Sequence, residues 1–177
     1  MSVNPALWDA LDRIRDDIRE RITFEQFGRN PVPSPQNVVI RYLPYGSGPE
    51  GADWSENVPA VVISPPRRTG VHIELNCSDD FMYPVVIQLV DNNHEHASED
   101  VMKSWMRWAE QIQRYFSEGT LRGLRSPVDE EDWHVLRVGL ADQNWLDRKT
   151  FALFRNAVMA IVIEVHIRMS RDPAGRP

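Results

Sequence analysis

Residues 157–169 read AVMAIVIEVHIRM, and the alternation within them decides the fold class. Side chains on an extended backbone point to opposite faces with a period of two. Ala157, Met159, Ile161, Ile163, Val165, Ile167 and Met169 share one face. Val158, Ala160, Val162, Glu164, His166 and Arg168 share the other. The first set is apolar throughout. The second begins apolar and ends charged, so the strand is expected to leave the core towards solvent or a partner. At ~3.3 Å per residue it spans about 40 Å, beyond the usual strand. Just upstream, Phe151 and Phe154 suit either a short helix or more strand.

Working back from this strand, the chain supplies its neighbours. Residues 133–140, WHVLRVGL, predict another strand, with ADQNWLDRKT as a connection. Residues 83–91, YPVVIQLVD, are almost continuously apolar and are expected at the centre of the sheet. Pro84 is tolerable near a strand start and not in its middle. Residues 60–64, AVVIS, and 71–75, VHIEL, flank the turn-rich PPRRTG and suggest a hairpin. In its second arm Val71, Ile73 and Leu75 alternate with His72 and Glu74, as in a half-buried strand. NCSDDFM is a break, and 38–43, VVIRYL, is the first strand.

Two helices complete the pattern. Near the N-terminus, Leu7, Leu11, Ile14, Ile18 and Ile22 form one stripe, opposite a charged face of Asp9, Arg13, Asp16, Asp17, Arg19 and Glu20. Asn4 suits a cap and Pro5 a first helical turn. After the polar loop 92–97, Ser98 suits a cap, with Glu99 and Asp100 complementing the helix dipole. Val101, Trp105, Trp108, Ile112 and Phe116 make a second stripe, widened by Met102, Met106 and Ala109, and Gly119 ends it. The expected architecture is α+β: a mixed, mainly antiparallel sheet, an N-terminal helix, and one long helix packed across the sheet. Residues 1–169 form a single domain and 170–177 a polar tail. Loop 44–57, PYGSGPEGADWSEN, is long enough to imply function or mobility. Its Tyr45 and Trp54 either fold back onto the body or anchor a subunit contact.

Composition narrows the function. The 177 residues carry 20 basic and 26 acidic side chains, a net charge of −6, which disfavours coating nucleic acid through bulk charge. One cysteine, Cys77, excludes an internal disulfide and a cysteine-based zinc cluster. No apolar run is long enough for a membrane helix, and charges stand where a signal peptide needs an apolar core, so a cytosolic origin is expected. His94, Glu95 and His96 could be combined with Asp91 around a metal, but their spacing is not that of a zinc-hydrolase helix. His72, His134 and His166 sit on strands and read as rim or interface histidines. Asp79/Asp80 and Glu130/Glu131/Asp132 read as solvated charge. No nucleophile elbow or phosphate loop is present. The expectation is a non-enzyme without cofactor or metal. Arg67 and Arg68 form a basic turn tip suited to phosphate contact or solubility.

The order of elements resembles the tail terminator and neck (head-tail joining) proteins of tailed bacteriophages. The resemblance rests on VPAVVISPP and YPVVIQLVD, then SEDVMKSWMRWAEQIQRYF, then FALFRNAVMAIVIEVHIRM, and covers residues 5–169. Loops 44–57 and 120–132 are longer than a minimal member needs. The resemblance implies a virion ring, typically a hexamer, that ends the tail tube and joins it to the head connector or adaptor proteins. DNA would pass through the lumen without sequence-specific binding, and assembly would occur in the host cytoplasm. Interface candidates are Tyr45, Trp54, Arg67, Arg68, Glu164, His166 and Arg168. The rival expectations are a non-viral assembly adaptor and a small metal-dependent hydrolase using Asp91, His94 and His96.

Overall fold

The computed structural model describes residues 5–27, 34–41, 58–66, 72–75, 78–92, 99–117, 119, 121, 123–126, 133–144 and 156–170, with backbone alone at 92, 142–144 and 156–158. The elements are α1 (Ala6–Arg21), β1 (Asn37–Ile40), β2 (Ala60–Ser64), β3 (His72–Glu74), β4 (Ser78–Asn92), α2 (Glu99–Ser117), β5 (Trp133–Asn144) and β6 (Asn156–Ser170). The protein is α+β, and the described residues form two helices and one mixed, mostly antiparallel sheet of six strands. The sheet order is β1-β2-β4-β6-β5, with β3 beside β4. Only the β1–β2 pair is parallel among the described strands.

The long final strand folds as its alternation predicts. β6 runs 15 residues and pairs with all 15 of β4. Met159, Ile161, Ile163, Val165 and Ile167 are buried on one face. Their partners Tyr83, Val85, Ile87 and Leu89 are buried beside them. β6 nevertheless lies between β4 and β5, so its edges are occupied and only its second face is open to a partner.

Both helices contribute to the same core. α1 sets Ala10, Leu11, Ile14 and Ile18 against it, and α2 sets Trp105, Trp108, Ala109, Ile112 and Phe116. Each large apolar side chain fully buried here adds about 1.5–3 kcal/mol. The segment after α1 is fastened along α2. Trp108 Nε1 donates to the Glu25 carbonyl, and Gln111 Nε2 donates to the Thr23 carbonyl at 2.7 Å. Phe24 meets the Trp108 ring edge-on at 6.0 Å. Gly119, at φ 77°, stops α2 in the left-handed region that glycine tolerates.

The structure corrects several sequence expectations. Residues 60–64 and 71–75 do not form a hairpin. β2 and β3 both run antiparallel to β4 on its same side, at 86–90 and 79–81. They are two pieces of one interrupted strand, joined by seven residues, 65–71, where β4 uses four, 82–85. Pro84 is therefore in the middle of β4, not near its start, and it falls in that gap. A missing N–H is tolerated where β2 and β3 make no demand on it. The presumed break NCSDDFM includes strand residues from Ser78 onward, and β3 pairs tightly back on it, Leu75 N donating to the Ser78 carbonyl at 2.9 Å.

Further differences concern burial and element limits. β3 is exposed at all three residues, and Ile73 and Leu75 face solvent instead of a core. On α2, Met102 and Met106 are exposed as well, at 51% and 46%, so the buried stripe is narrower than expected. Ser104 occupies the position towards the core instead, its Oγ donating to the Asp100 carbonyl at 2.9 Å. Asp17, expected in solvent, is 2% exposed, with Arg13 at 3.0 Å and Arg21 at 3.3 Å, each one helical turn away. Pro5 stands at the N-cap, one position before the helix. Strand β1 ends at Ile40, and Arg41 N still donates to the Ile63 carbonyl at 2.8 Å. β5 runs on through ADQN, past the expected end at residue 140. Asn4, Ser98 and loop 44–57 lie outside the described residues.

Candidate functional site

The sheet has two faces, and among the described residues only one is lined by the helix core. On the other, the registers bring together side chains far apart in sequence. Asp80, Arg168 and His134 form one row across β4, β6 and β5. Met82, His166 and Arg137 form the next. Pro84, Glu164 and Gly139 form a third. Ile73 of β3 extends the first row beyond Asp80. Three of the interface candidates, Glu164, His166 and Arg168, thus share one surface. The other four, Tyr45, Trp54, Arg67 and Arg68, lie outside the described residues.

The first row is tied by geometry. Arg168 grips Asp80 with two parallel bonds, Nε to Oδ1 at 2.7 Å and Nη2 to Oδ2 at 2.8 Å. This fork matches the planar guanidinium to both carboxylate oxygens. The contact holds the Asp80 carboxyl below its ordinary pKa and raises that of Arg168. Asp79 and Asp80 were expected in a solvated loop; instead they are strand residues with defined partners. Asp79 is on the opposite face, its Oδ1 3.2 Å from His72 Nε2. His72 also stacks flat on Phe81, centroids 4.6 Å apart, and Phe81 continues to Tyr83 at 6.0 Å.

His166 occupies the middle row with its side chain 15% exposed. Burial lowers its pKa below the ordinary histidine value, and the Arg137 charge beside it lowers it further. Glu164 works the other way, but its Oε2 is 3.9 Å from His166 Nε2 and offers only a long contact. Neutral His166 therefore sits among two cations, Arg137 and Arg168, and two anions, Asp80 and Glu164. Balanced charge on a half-buried sheet face suits contact with another polar surface. His134 was read as a rim or interface histidine, whereas Arg137, Met82 and Asp80 were not singled out in the sequence for this surface. Their membership depends on strand register, which a single sequence does not print.

The metal alternative fares differently at each residue. His94 and His96 lie outside the described residues. Asp91 is buried on the core face, where its Oδ2 accepts from Trp105 Nε1 at 2.9 Å. That bond fastens the end of β4 to α2. Among the described residues, no group of three or more His, Cys, Asp or Glu is placed to hold a metal ion. Among the described residues, too, no helix is long and apolar enough to cross a membrane.

The β5 edge of the sheet is poorly suited to pairing with another chain. The start of β5 is covered: Val135 N donates to the Leu124 carbonyl at 2.8 Å, and Ser126 N donates to the Trp133 carbonyl at 3.0 Å. Beyond it, the register slips between Val135 and Arg137 and again between Leu140 and Gln143. Such bulges twist an edge and discourage strand addition. The face carrying Glu164, His166 and Arg168 is thus better suited to contact than this edge. No protein-family model matches the chain, and no curated protein matches it.

Proposed function

We propose that this chain is a structural protein of a tailed-bacteriophage virion, a tail terminator or neck component that assembles into a ring. The ring, near six copies, would end the tail tube and join it to the head connector, with DNA passing through its lumen. The observation that carries this reading is β6 itself. A 15-residue strand forms the spine of the sheet, buries one face against two helices, and gathers Glu164, His166 and Arg168 on the other. That is an economical way to make a rigid subunit whose second face serves contact. Heterologous contacts between such subunits close into rings when the rotation permits. On this reading the protein is not an enzyme, binds no cofactor, and works in the neck or tail of the particle.

The test is the native mass of the purified protein across a concentration series, followed by imaging of any large species. A closed ring near six subunits is the expected result. A monomer at every concentration, together with absence of the protein from purified virions, would overturn the reading.

A further inference from the structure

A second surface lies on the far side of α2 from the sheet. The segment after α1 and the outer flank of α2 enclose a groove of about 360 Å³, lined among others by Arg21, Arg107, Arg114, Tyr115, Glu25 and Glu110. The Gln111 contacts with Thr23 and Glu25 fix its floor, the second being Glu25 N to Gln111 Oε1 at 3.3 Å. Three arginines face two glutamates here, in a chain whose net charge is −6. Arg107 grips Glu25 at 2.9 and 3.2 Å and touches Glu110 at 3.5 Å. That grip lowers the Glu25 pKa. Arg21 reaches back to the buried Asp17 at 3.3 Å. Arg114 makes no ion pair among the described residues, although its charge is felt at Glu25. Each guanidinium has five N–H donors, so these pairs leave donors facing the groove.

The sequence contains the matching anion. Asp129, Glu130, Glu131 and Asp132 are the longest acidic run in the chain. We propose that the groove of one copy receives the 129–132 run of a second copy. This rests on the ring reading and names one of its contacts. Groove and run come from different stretches of the chain, so the contact can repeat head to tail, the kind that propagates and can close. Carboxylates entering beside Arg114 would complete charge pairing that the described residues leave undone. Such a contact weakens as salt screens it.

Two variants test the contact, one breaking each side. Arg114→Glu spoils the groove at an exposed position on α2. The double variant Glu130→Lys with Glu131→Lys spoils the run. Circular dichroism checks that both fold, and sedimentation velocity reads their assembly at low and high salt. The wild type is expected to assemble, with association at least about tenfold weaker for each variant alone, a loss in the range of interfacial charge pairs. An equimolar mixture should then form a two-chain complex, because one intact groove meets one intact run. Either variant assembling like the wild type overturns the groove contact and leaves the ring reading standing. Two weakened variants that the mixture does not rescue also overturn it, since the run would then serve its own chain. A wild type that stays monomeric throughout overturns this contact, and the ring reading falls with it if the protein is also absent from purified virions.

Discussion

The two ends of the β4–β6 pair show one scaffold used in two ways. At one end, Val85, Ile87 and Leu89 face Ile163, Ile161 and Met159 in the helix core, while Val90 on the opposite face packs with Val62 in a second, smaller cluster. There the sheet is largely apolar on both sides, with Gln88 and Ser64 the buried polar residues of the second face. At the other end, Tyr83, Val165 and Ile167 still face the core, but the opposite side carries Asp80, Arg168, His166 and Glu164. The same hydrogen-bonded ladder therefore changes from a structural element into a presenting one within a few residues. The difference shows that stability and recognition are separated along the strands, not assigned to different strands.

The comparison makes the doubly apolar end the more sensitive. Ile87→Ala removes a side chain with no solvent exposure. It is expected to cost about 2–5 kcal/mol, read as a lower midpoint in urea unfolding. A loss below about 1 kcal/mol would mean that this end repacks freely and that the contrast is wrong. Arg168→Ala, at the presenting end, should cost about 1 kcal/mol or less, because the pair with Asp80 is partly solvated. If the ring forms through this face, the same variant should weaken assembly much more than it weakens the fold. Equal effects on both would remove the distinction between the ends.

The smallest expected effect is one of pH. The folded pKa of His166 lies below its unfolded value near 6.5, so the folded state binds this proton less readily. Its stabilising contribution is present above pH ~6.5 and is lost as pH falls through the lowered folded value. The groups facing it are Glu164 and Arg168 on its own strand, Asp80 and Met82 on β4, and His134 and Arg137 on β5. Asp80 adds a loss at more acid pH, since its carboxyl is also held below its ordinary value. Unfolding curves between pH 7 and 5 should show a small decline that His166→Gln reduces. An unchanged decline in that variant would assign the effect to other groups.

Much of this fold is legible in the sequence because burial imposes a period on it. The alternation of 157–169 and the helical stripe of Trp105, Trp108, Ile112 and Phe116 are direct imprints of one-sided packing. Where period and burial part company, the reading fails. Met102 and Met106 carry the right spacing for the stripe but stand on its solvent side, since a hydrophobic residue need not be inside. Asp17 shows the converse: its charge suggested solvent, yet Arg13 and Arg21 one turn away on each side allow burial. The apparent hairpin at 60–75 fails for another reason. Local pattern identifies strands but not their partners, and β2 and β3 each choose β4. The candidate surface was half legible. Glu164, His166 and Arg168 follow from alternation, whereas Asp80, Arg137 and His134 require the register of three strands.

The interrupted edge beside β4 has a consequence for how this chain can vary. β2 and β3 are each aligned by their own ladder to β4, on either side of the gap at Pro84. Neither alignment depends on the length of the chain between them. The stretch after Pro66 therefore serves as a splice point, where sequence can be lengthened, shortened or exchanged for an inserted tag while both halves keep their registration. In the sequence the basic pair Arg67 and Arg68 falls in this stretch, so it can be exchanged while both registers to β4 stand.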